Sequence, residues 1–169
     1  MSERRLYLLR HAKSSWDEPL ADHERPLAPR GRKAAPRLGA FLGAAEEPPE
    51  LILTSPARRA IETIEACRAA AGWTTPLTAV DALYGATAVE LIDAVGRAAG
   101  EASSVLVVGH EPGLSDAIGR LCGQARVRFP TGAVARLDTD VPRWRDLSTG
   151  ACELRWLVTP RLLQAARRS

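Results

Sequence analysis

Three pairs of residues in this chain have types suited to one kind of reaction. Arg10 and His11 close an apolar run, Arg58 and Arg59 follow another, and His110 and Glu111 close a third. Arginine forks satisfy phosphoryl oxygens two at a time. A neutral imidazole can attack phosphorus to give a covalent phosphohistidine that water later hydrolyses. Positive charge around the transferred group would hold the charge that spreads over its equatorial oxygens, the dominant catalytic contribution in phosphoryl transfer. Taken singly, each pair also has a plainer reading. Arg10 and His11 fit a solvated strand end, and Glu111 fits an ordinary loop acid. Arg58 fits an ion pair with Glu62 one turn on, worth about 0.3 to 0.5 kcal/mol.

The elements that must position these pairs follow from the apolar pattern. Leu6 to Leu9 is a short continuous apolar run, read as a buried strand that delivers Arg10 and His11 to its C-terminal end. In open α/β sheets that edge is where ligands bind. Leu51 to Leu53 is a second such run. Ser55 and Pro56 then read as the N-cap and first position of a helix that reaches Ala71, where Gly72 stops it. Arg58 and Arg59 in its first turn oppose the helix macrodipole unless an anion sits beside them. Val105 to Val108 is the clearest buried strand and runs into Gly109 and His110, with a helix from about Ser115 to Cys122. Two of the three histidines therefore stand at the ends of core strands, and the arginine pair follows another. Chance accounts for that coincidence far less well than for any one instance of it.

The connecting segments read as follows. Ser14 to Pro29 is a long polar loop holding Asp17, Asp22, His23 and Arg25, and loops of this length in compact domains commonly serve a site. Pro29 opens a helix to Ala45 with Leu38, Phe41 and Leu42 at helical spacing, and Pro36 predicts a kink or a late start in it. Leu77 to Val80 reads as a weaker strand. Thr87 and Glu90 form a capping box before Leu91, Ile92 and Val95. Ala133 to Leu137 and Cys152 to Val158 read as strands, the latter with Cys152, Leu154, Trp156 and Val158 on one face. Arg161 to Ser169 reads as a short helix or frayed tail. Strands alternating with helices predict an α/β fold, with a mostly parallel central sheet and helices on both faces. A chain of 169 residues suits one domain over 1–169.

Composition bounds the function. With 46% hydrophobic and 25% charged residues the chain is globular rather than disordered. A net charge of +3 suits an anionic substrate or an acidic partner. The arginines are scattered rather than gathered in one run, which argues against nucleic acid. Cys67, Cys122 and Cys152 are odd in number, far apart and without CxxC spacing. They fit reduced thiols in a cytoplasmic protein better than disulfides or a zinc site. No apolar run has the length of a signal peptide or a membrane span. The expectation is a cytoplasmic monomer that uses no metal and no cofactor.

The segments around the three pairs carry a resemblance. RHA after the first strand, SPARRAIET after the second and VVGHEPG after the later one resemble, in the same order, the three motifs of the histidine phosphatase superfamily. Within it, RHAKSSW, DHERPLAPRG, ALYGA and GHEPGLS are most similar to SixA-type phosphohistidine phosphatases, over a span from Leu6 to about Trp156. The resemblance implies a single three-layer domain of phosphoglycerate mutase-like fold. It also implies His11 as nucleophile, Arg10, Arg59 and His110 as the phosphate pocket, and Ser14 as a further contact. Helical periodicity does not choose between Arg58 and Arg59, which flank the apolar stripe about equally. The family pattern favours Arg59, four residues after the serine and just before an alanine, and leaves Arg58 as a secondary substrate contact.

One departure from the superfamily bears on the substrate. Mutases and many phosphomonoesterases of the superfamily carry a glutamate general acid in the region corresponding to Asp81 to Ala86, where this sequence reads DALYGA. Imidazole, with a conjugate-acid pKa of about 6.5, leaves far more easily than an alkoxide. The missing acid therefore favours phosphohistidine in a protein over a small phosphoester. Glu111 stands where the acid phosphatase branch has a proton-donating aspartate, and as a proton donor it would restore phosphomonoesterase or mutase activity. A non-catalytic phosphate-binding module is a third reading, opposed by the intact set of Arg10, His11, Arg59 and His110. Lys13 and Trp16 either touch a substrate or only shape the loop.

Overall fold

Successive strand residues point to opposite faces of a sheet, and here that alternation divides one set of apolar strands between two cores. The computed structural model describes residues 3–167. Six strands form one sheet: β1 (Arg4–Arg10), β2 (Leu51–Thr54), β3 (Leu77–Ala79), β4 (Ser104–Gly109), β5 (Val134–Thr139) and β6 (Glu153–Val158). Their order is β3-β2-β4-β1-β5-β6. The first four of these run parallel, β5 is antiparallel to β1, and β6 is antiparallel to β5.

On one face Leu6, Leu8, Leu53, Val105 and Val107 pack under α3 (Ala88–Ala98) and α4 (Gly113–Leu121). On the other, Tyr7, Leu9, Ile52, Leu106 and Val108 pack under α1 (Pro29–Ala45) and α2 (Arg58–Ala71). Leu163 of α5 (Pro160–Ala166) joins the margin of this second core. The central strands β1 and β4 are buried on both faces, which is why their sequences are continuous apolar runs. The three-layer α/β arrangement with a mostly parallel sheet is the one the sequence predicts.

The capping box of α3 is present. Thr87 Oγ1 accepts from the Glu90 N–H at 3.3 Å and Glu90 accepts from the Thr87 N–H at 2.8 Å. Several other expectations give way to packing. Pro36 neither delays nor interrupts α1, which runs from Pro29 to Ala45. At Gly39 that helix lies so close to α2 that an added Cβ would fall 2.2 Å from the Cys67 carbonyl oxygen. Packing this close outweighs the loss of one helical N–H. Helix α2 starts at Arg58 with Ala57 at its N-cap, so Ser55 is not the capping residue. Helix α4 starts at Gly113, earlier than Ser115.

In β6 the pairing with β5 shifts, so that Arg136 opposes Trp156 and Leu137 opposes Leu154. The extra residue, Arg155, makes a bulge. Cys152 consequently packs with the α3 and α4 core while Trp156 and Val158 pack with the other. The last two residues of the predicted tail lie outside the described residues, and the rest of it lies in α5 as far as Ala166, with Arg167 as the C-cap. The three cysteines are free. Burial pushes the Cys67 and Cys152 thiols up to about 12, which makes both poor nucleophiles. Among the described residues no helix is long and apolar enough to cross a membrane.

Candidate active site

Parallel pairing of β1 with β4 aligns Arg10 with Gly109. The residues just past both strand ends, His11 and His110, therefore meet above the middle of the sheet. The His11 N–H donates to the Gly109 carbonyl at 3.3 Å, and the two imidazole rings are 5.2 Å apart, centre to centre. Strand β2 pairs with the far edge of β4, and the Ser55 N–H donates to the Val108 carbonyl at 3.0 Å. Arg59, in the first turn of α2, turns its side chain back over this edge and is only 7% exposed there. Thr63 fixes the turn to the His11 loop, its Oγ1 accepting from the Ala12 N–H at 3.0 Å and donating to the Arg59 carbonyl at 2.6 Å.

Hydrogen bonding determines which nitrogen of each ring is free. A carbonyl oxygen only accepts, so His11 Nδ1, 2.7 Å from the Ala12 carbonyl, carries the proton. His11 Nε2 then holds a lone pair and accepts from Arg59 Nε at 3.4 Å. Arg59 Nη2 lies 3.4 Å from His110 Nδ1 and can only donate, so His110 Nε2 is protonated and donates to Ser55 Oγ at 2.7 Å. Burial pushes His11 down to about 3, with His110, Arg59 and Arg10 adding to it against the Ala12 carbonyl. Burial, then Arg59 and Arg10, brings His110 down to about 4 against the opposing effect of Asp22. Both rings are neutral at neutral pH. His11 Nε2 is thus a nucleophilic nitrogen with no proton to lose.

The arginines supply charge around the two rings. Arg10 donates from Nη1 to the Phe129 carbonyl at 3.0 Å, while its Nε is buried with no hydrogen-bond partner among the described residues. An unsatisfied buried donor costs about 1–3 kcal/mol. Burial also lowers the Arg10 pKa from its ordinary value, opposed by Glu111. Arg59 donates from Nη1 and Nη2 to the backbone carbonyl and carboxylate of Asp22, at 2.7 and 3.0 Å. Asp22 sits in a 3-10 turn over Asp22–Glu24, accepts from the Tyr84 hydroxyl at 2.6 Å and pairs with Arg25 at 3.1 Å. Tyr84 foremost, then Arg59 and Arg25, bring the Asp22 carboxyl down to about 2 despite some burial. The Tyr84 ring also meets His110 edge-on at 5.8 Å.

Of the residues that the sequence nominates, the fold brings His11, Arg59 and His110 into mutual contact and sets Arg10 beside them. Arg58, Ser14 and Glu111 are not brought there. Arg58 lies in solvent and pairs with Glu62 at 2.7 Å, the plainer of its two readings. The Ser14 hydroxyl accepts from Arg25 Nη1 at 3.0 Å and reaches the site only through Arg25 and Asp22. Glu111 accepts from the Ser115 N–H and hydroxyl at 2.8 and 2.6 Å, which commits its carboxylate to the first turn of α4. Trp16 covers the Arg25 guanidinium, 3.4 Å from the ring centre, and so shapes the loop. Ser55, Thr63 and the pairing of Asp22 with Tyr84 are not singled out by sequence. The signal for Ser55 is its place one residue past β2, at the same sheet edge as the others. Asp22 and Tyr84 are 62 residues apart, and no spacing links them.

Comparison with known proteins agrees with this geometry. Residues 6–86 match the family model of the histidine phosphatase superfamily (branch 1), a stretch that holds Arg10, His11 and Arg59 but ends before His110. An uncharacterised protein of Mycobacterium tuberculosis is 32% identical over 163 residues, 90% of this chain and 100% of its own length. Among solved structures, the Nakamurella multipartitia protein provisionally named phosphohistidine phosphatase SixA superimposes with a TM-score of 0.83 at 29% identity. That match covers 95% of this chain and 98% of the other. The Agrobacterium tumefaciens protein provisionally given the same name superimposes with a TM-score of 0.80 at 27% identity, over 93% and 98% of the two chains. Near-complete alignment, a shared fold and an Arg-His strand end set against a second histidine lead to one assignment: the chain belongs to the histidine phosphatase superfamily.

Proposed function

We propose that this protein is a phosphatase that forms a covalent phosphohistidine on His11 and takes its phosphoryl group from a phosphohistidine in a protein. The SixA name of similar structures supports the substrate class. The observation that carries it is the state of two carboxylates, Asp22 at the site and Glu111 outside it. Asp22, down at about 2, is ionised at neutral pH and has no proton to give. Glu111 is held by two hydrogen bonds from Ser115. An alkoxide leaving group needs such a proton and an imidazole does not.

The steps use groups already placed. The His11 Nε2 lone pair forms a bond to phosphorus as the P–N bond to the departing imidazole breaks, and solvent protonates that imidazole. Water then attacks phosphorus, His11 Nε2 leaves with the electron pair, and the proton lost by water passes to solvent. The partnerless Arg10 Nε–H is a donor for an equatorial oxygen, and Arg59 Nε lies against His11 with its fork oriented by Asp22. A dianionic phosphoryl group beside His110 favours the protonated ring, which turns Nδ1 from acceptor to donor.

The deciding measurement is kcat/KM for a phosphohistidine-bearing protein against an alkyl phosphomonoester such as glycerol 2-phosphate, whose leaving group is an alkoxide. A general acid contributes about a hundredfold or more, so a preference of at least that order for phosphohistidine is expected. Comparable or better use of the monoester would overturn the substrate class. Glu111→Gln is expected to leave monoester turnover within about twofold. A loss of about a hundredfold would make Glu111 the acid and restore the small-molecule phosphomonoesterase or mutase reading. Arg59→Ala is expected to lower kcat/KM about a hundredfold, as for loss of one preorganised donor. Arg58→Ala, in an exposed ion pair, should stay within about twofold, and equal losses would remove Arg59 from the pocket.

A further inference from the structure

A groove of about 950 Å3 lies between α1 and α5. Arg30, Lys33 and Arg37 line it from α1, and Arg161 and Arg167 from the C-terminal helix and its end. All five are exposed, and none of their side chains forms a hydrogen bond or ion pair with another described residue. Among the described residues no acidic side chain lines the groove. Leu38, Phe41 and Leu163 give it an apolar floor. The five cations exceed the +3 net charge of the whole chain, so the rest of the molecule is acidic on balance. Scattered along the sequence, these cations are gathered by the packing of two helices.

The concentration of charge works against the fold. Arg30, Lys33 and Arg37 recur three and four residues apart on α1, a spacing at which like charges repel. The first turn of α1 holds no acid, and cations there also oppose the helix macrodipole. An anionic occupant would relieve both.

Both walls of the groove begin at the His11 edge. At Gly31, α1 approaches the loop leaving β1 so closely that an added Cβ would lie 2.2 Å from the Lys13 carbonyl oxygen. On the other wall Pro160 packs on Gly132, where an added Cβ would lie 2.9 Å from Pro160 Cγ. The Gly132 N–H donates to the carbonyls of Arg10 and His11 at 3.1 and 3.0 Å. A segment lying in the groove therefore continues onto the edge where His11 stands.

We propose that this groove docks an acidic amphipathic helix of the protein that carries the phosphohistidine, a proposal that rests on the function above for the identity of the partner. Two turns of helix, ~10 Å across and ~11 Å long, fill about 900 Å3, which matches the groove. Carboxylates on the flanks of such a helix meet the five cations while its apolar stripe meets Leu38, Phe41 and Leu163. A flat anionic bilayer does not enter a furrow between two helices. A nucleic acid brings phosphates but no apolar stripe for the floor.

The test compares the wild type with Lys33→Glu, Arg37→Glu, Arg161→Glu and Arg167→Glu combined, and with Arg161→Glu and Arg167→Glu alone in case the first fails to fold. The probe is a fluorescein-labelled synthetic peptide of about 18 residues, with leucines at helical spacing and glutamates elsewhere. By fluorescence anisotropy the wild type should bind it, and both variants should bind it more weakly, the fourfold variant by at least about tenfold. A scrambled peptide of the same composition should also bind about tenfold more weakly, for want of an apolar stripe. The same peptide extended by a phosphohistidine should show a raised KM in the variants at unchanged kcat, while turnover of small phosphoramidate stays within about twofold. Equal binding by wild type and variants overturns the docking site. So does binding of the scrambled peptide, a single-stranded oligonucleotide or anionic vesicles as tight as that of the amphipathic peptide, or self-association that charge reversal abolishes. Failure of the wild type to hydrolyse either phosphoramidate or phosphohistidine would overturn the proposed function instead, and anisotropy would still decide the groove.

Discussion

His11→Ala is expected to abolish turnover, by at least about ten-thousandfold, and to abolish covalent labelling of the protein with phosphate. The loss is large because, in the proposed reaction, His11 Nε2 is the atom that bonds to phosphorus. His110 is neutral too, and its Nδ1, like His11 Nε2, lies 3.4 Å from an Arg59 nitrogen. In the proposed reaction that ring is protonated beside the phosphoryl group and donates a hydrogen bond, so its loss would weaken the pocket rather than remove the attacking atom. The check is a rapid quench at alkaline pH, where a phosphorus–nitrogen bond survives, followed by mapping of the labelled residue. Label on His11 in the wild type and none in the alanine variant is the expected result. Label elsewhere, or turnover by the variant within about a hundredfold of wild type, would take the nucleophile's role from His11. A wild type that binds phosphate but neither labels nor turns over would be a phosphate-binding module.

The second large effect is on stability in acid. In the unfolded chain both histidines have ordinary values of 6.5, and in the folded protein burial brings them to about 3 and about 4. Between those limits the unfolded chain binds more protons than the folded one, so stability rises with pH. The contribution is complete above the unfolded value and is lost as pH falls through 6.5 toward 4 and then 3. At pH 5 each histidine should cost about 2 kcal/mol relative to pH 8. Together they cost about 4 kcal/mol, a large share of the 5–15 kcal/mol that holds a typical domain. Asp22, lowered from 3.8 to about 2, adds a loss of the same sign only at still lower pH. Urea melts at pH 8, 6 and 5 would measure the slope, and His110→Gln should remove about half of it. A midpoint that does not move between pH 8 and 5 would mean that the rings are not held neutral by burial.

What could be read from sequence depended on whether a residue's partner was local. The ends of β1 and β4 were legible because both strands are buried on two faces, so their apolar runs stop sharply at Arg10 and His110. Arg58 and Arg59 were indistinguishable by periodicity. Arg58 pairs one turn on with Glu62, whereas Arg59 is drawn inward by Asp22, 37 residues away. Ser55 had the signature of an N-cap because a hydroxyl between a strand and a helix looks the same in either role. Only the neighbouring strand β4, which puts His110 within reach, decides it. The face of β6 is not legible in sequence because its bulge depends on the partner strand's register. The basic groove was invisible because its cations come from helices at opposite ends of the chain.

The sheet order has a consequence for how this molecule can lose its activity. β4 and β1 are the two middle strands of six, and the histidines hang from their ends. Segments at the periphery, such as α5 or the Asp22–Glu24 turn, can open locally while that ladder stays closed. Separating His11 from His110 means breaking the pairing of the two strands around which both cores are built. The His11–His110 pair therefore belongs to the last cooperative unit to open, and its geometry is as durable as the fold itself.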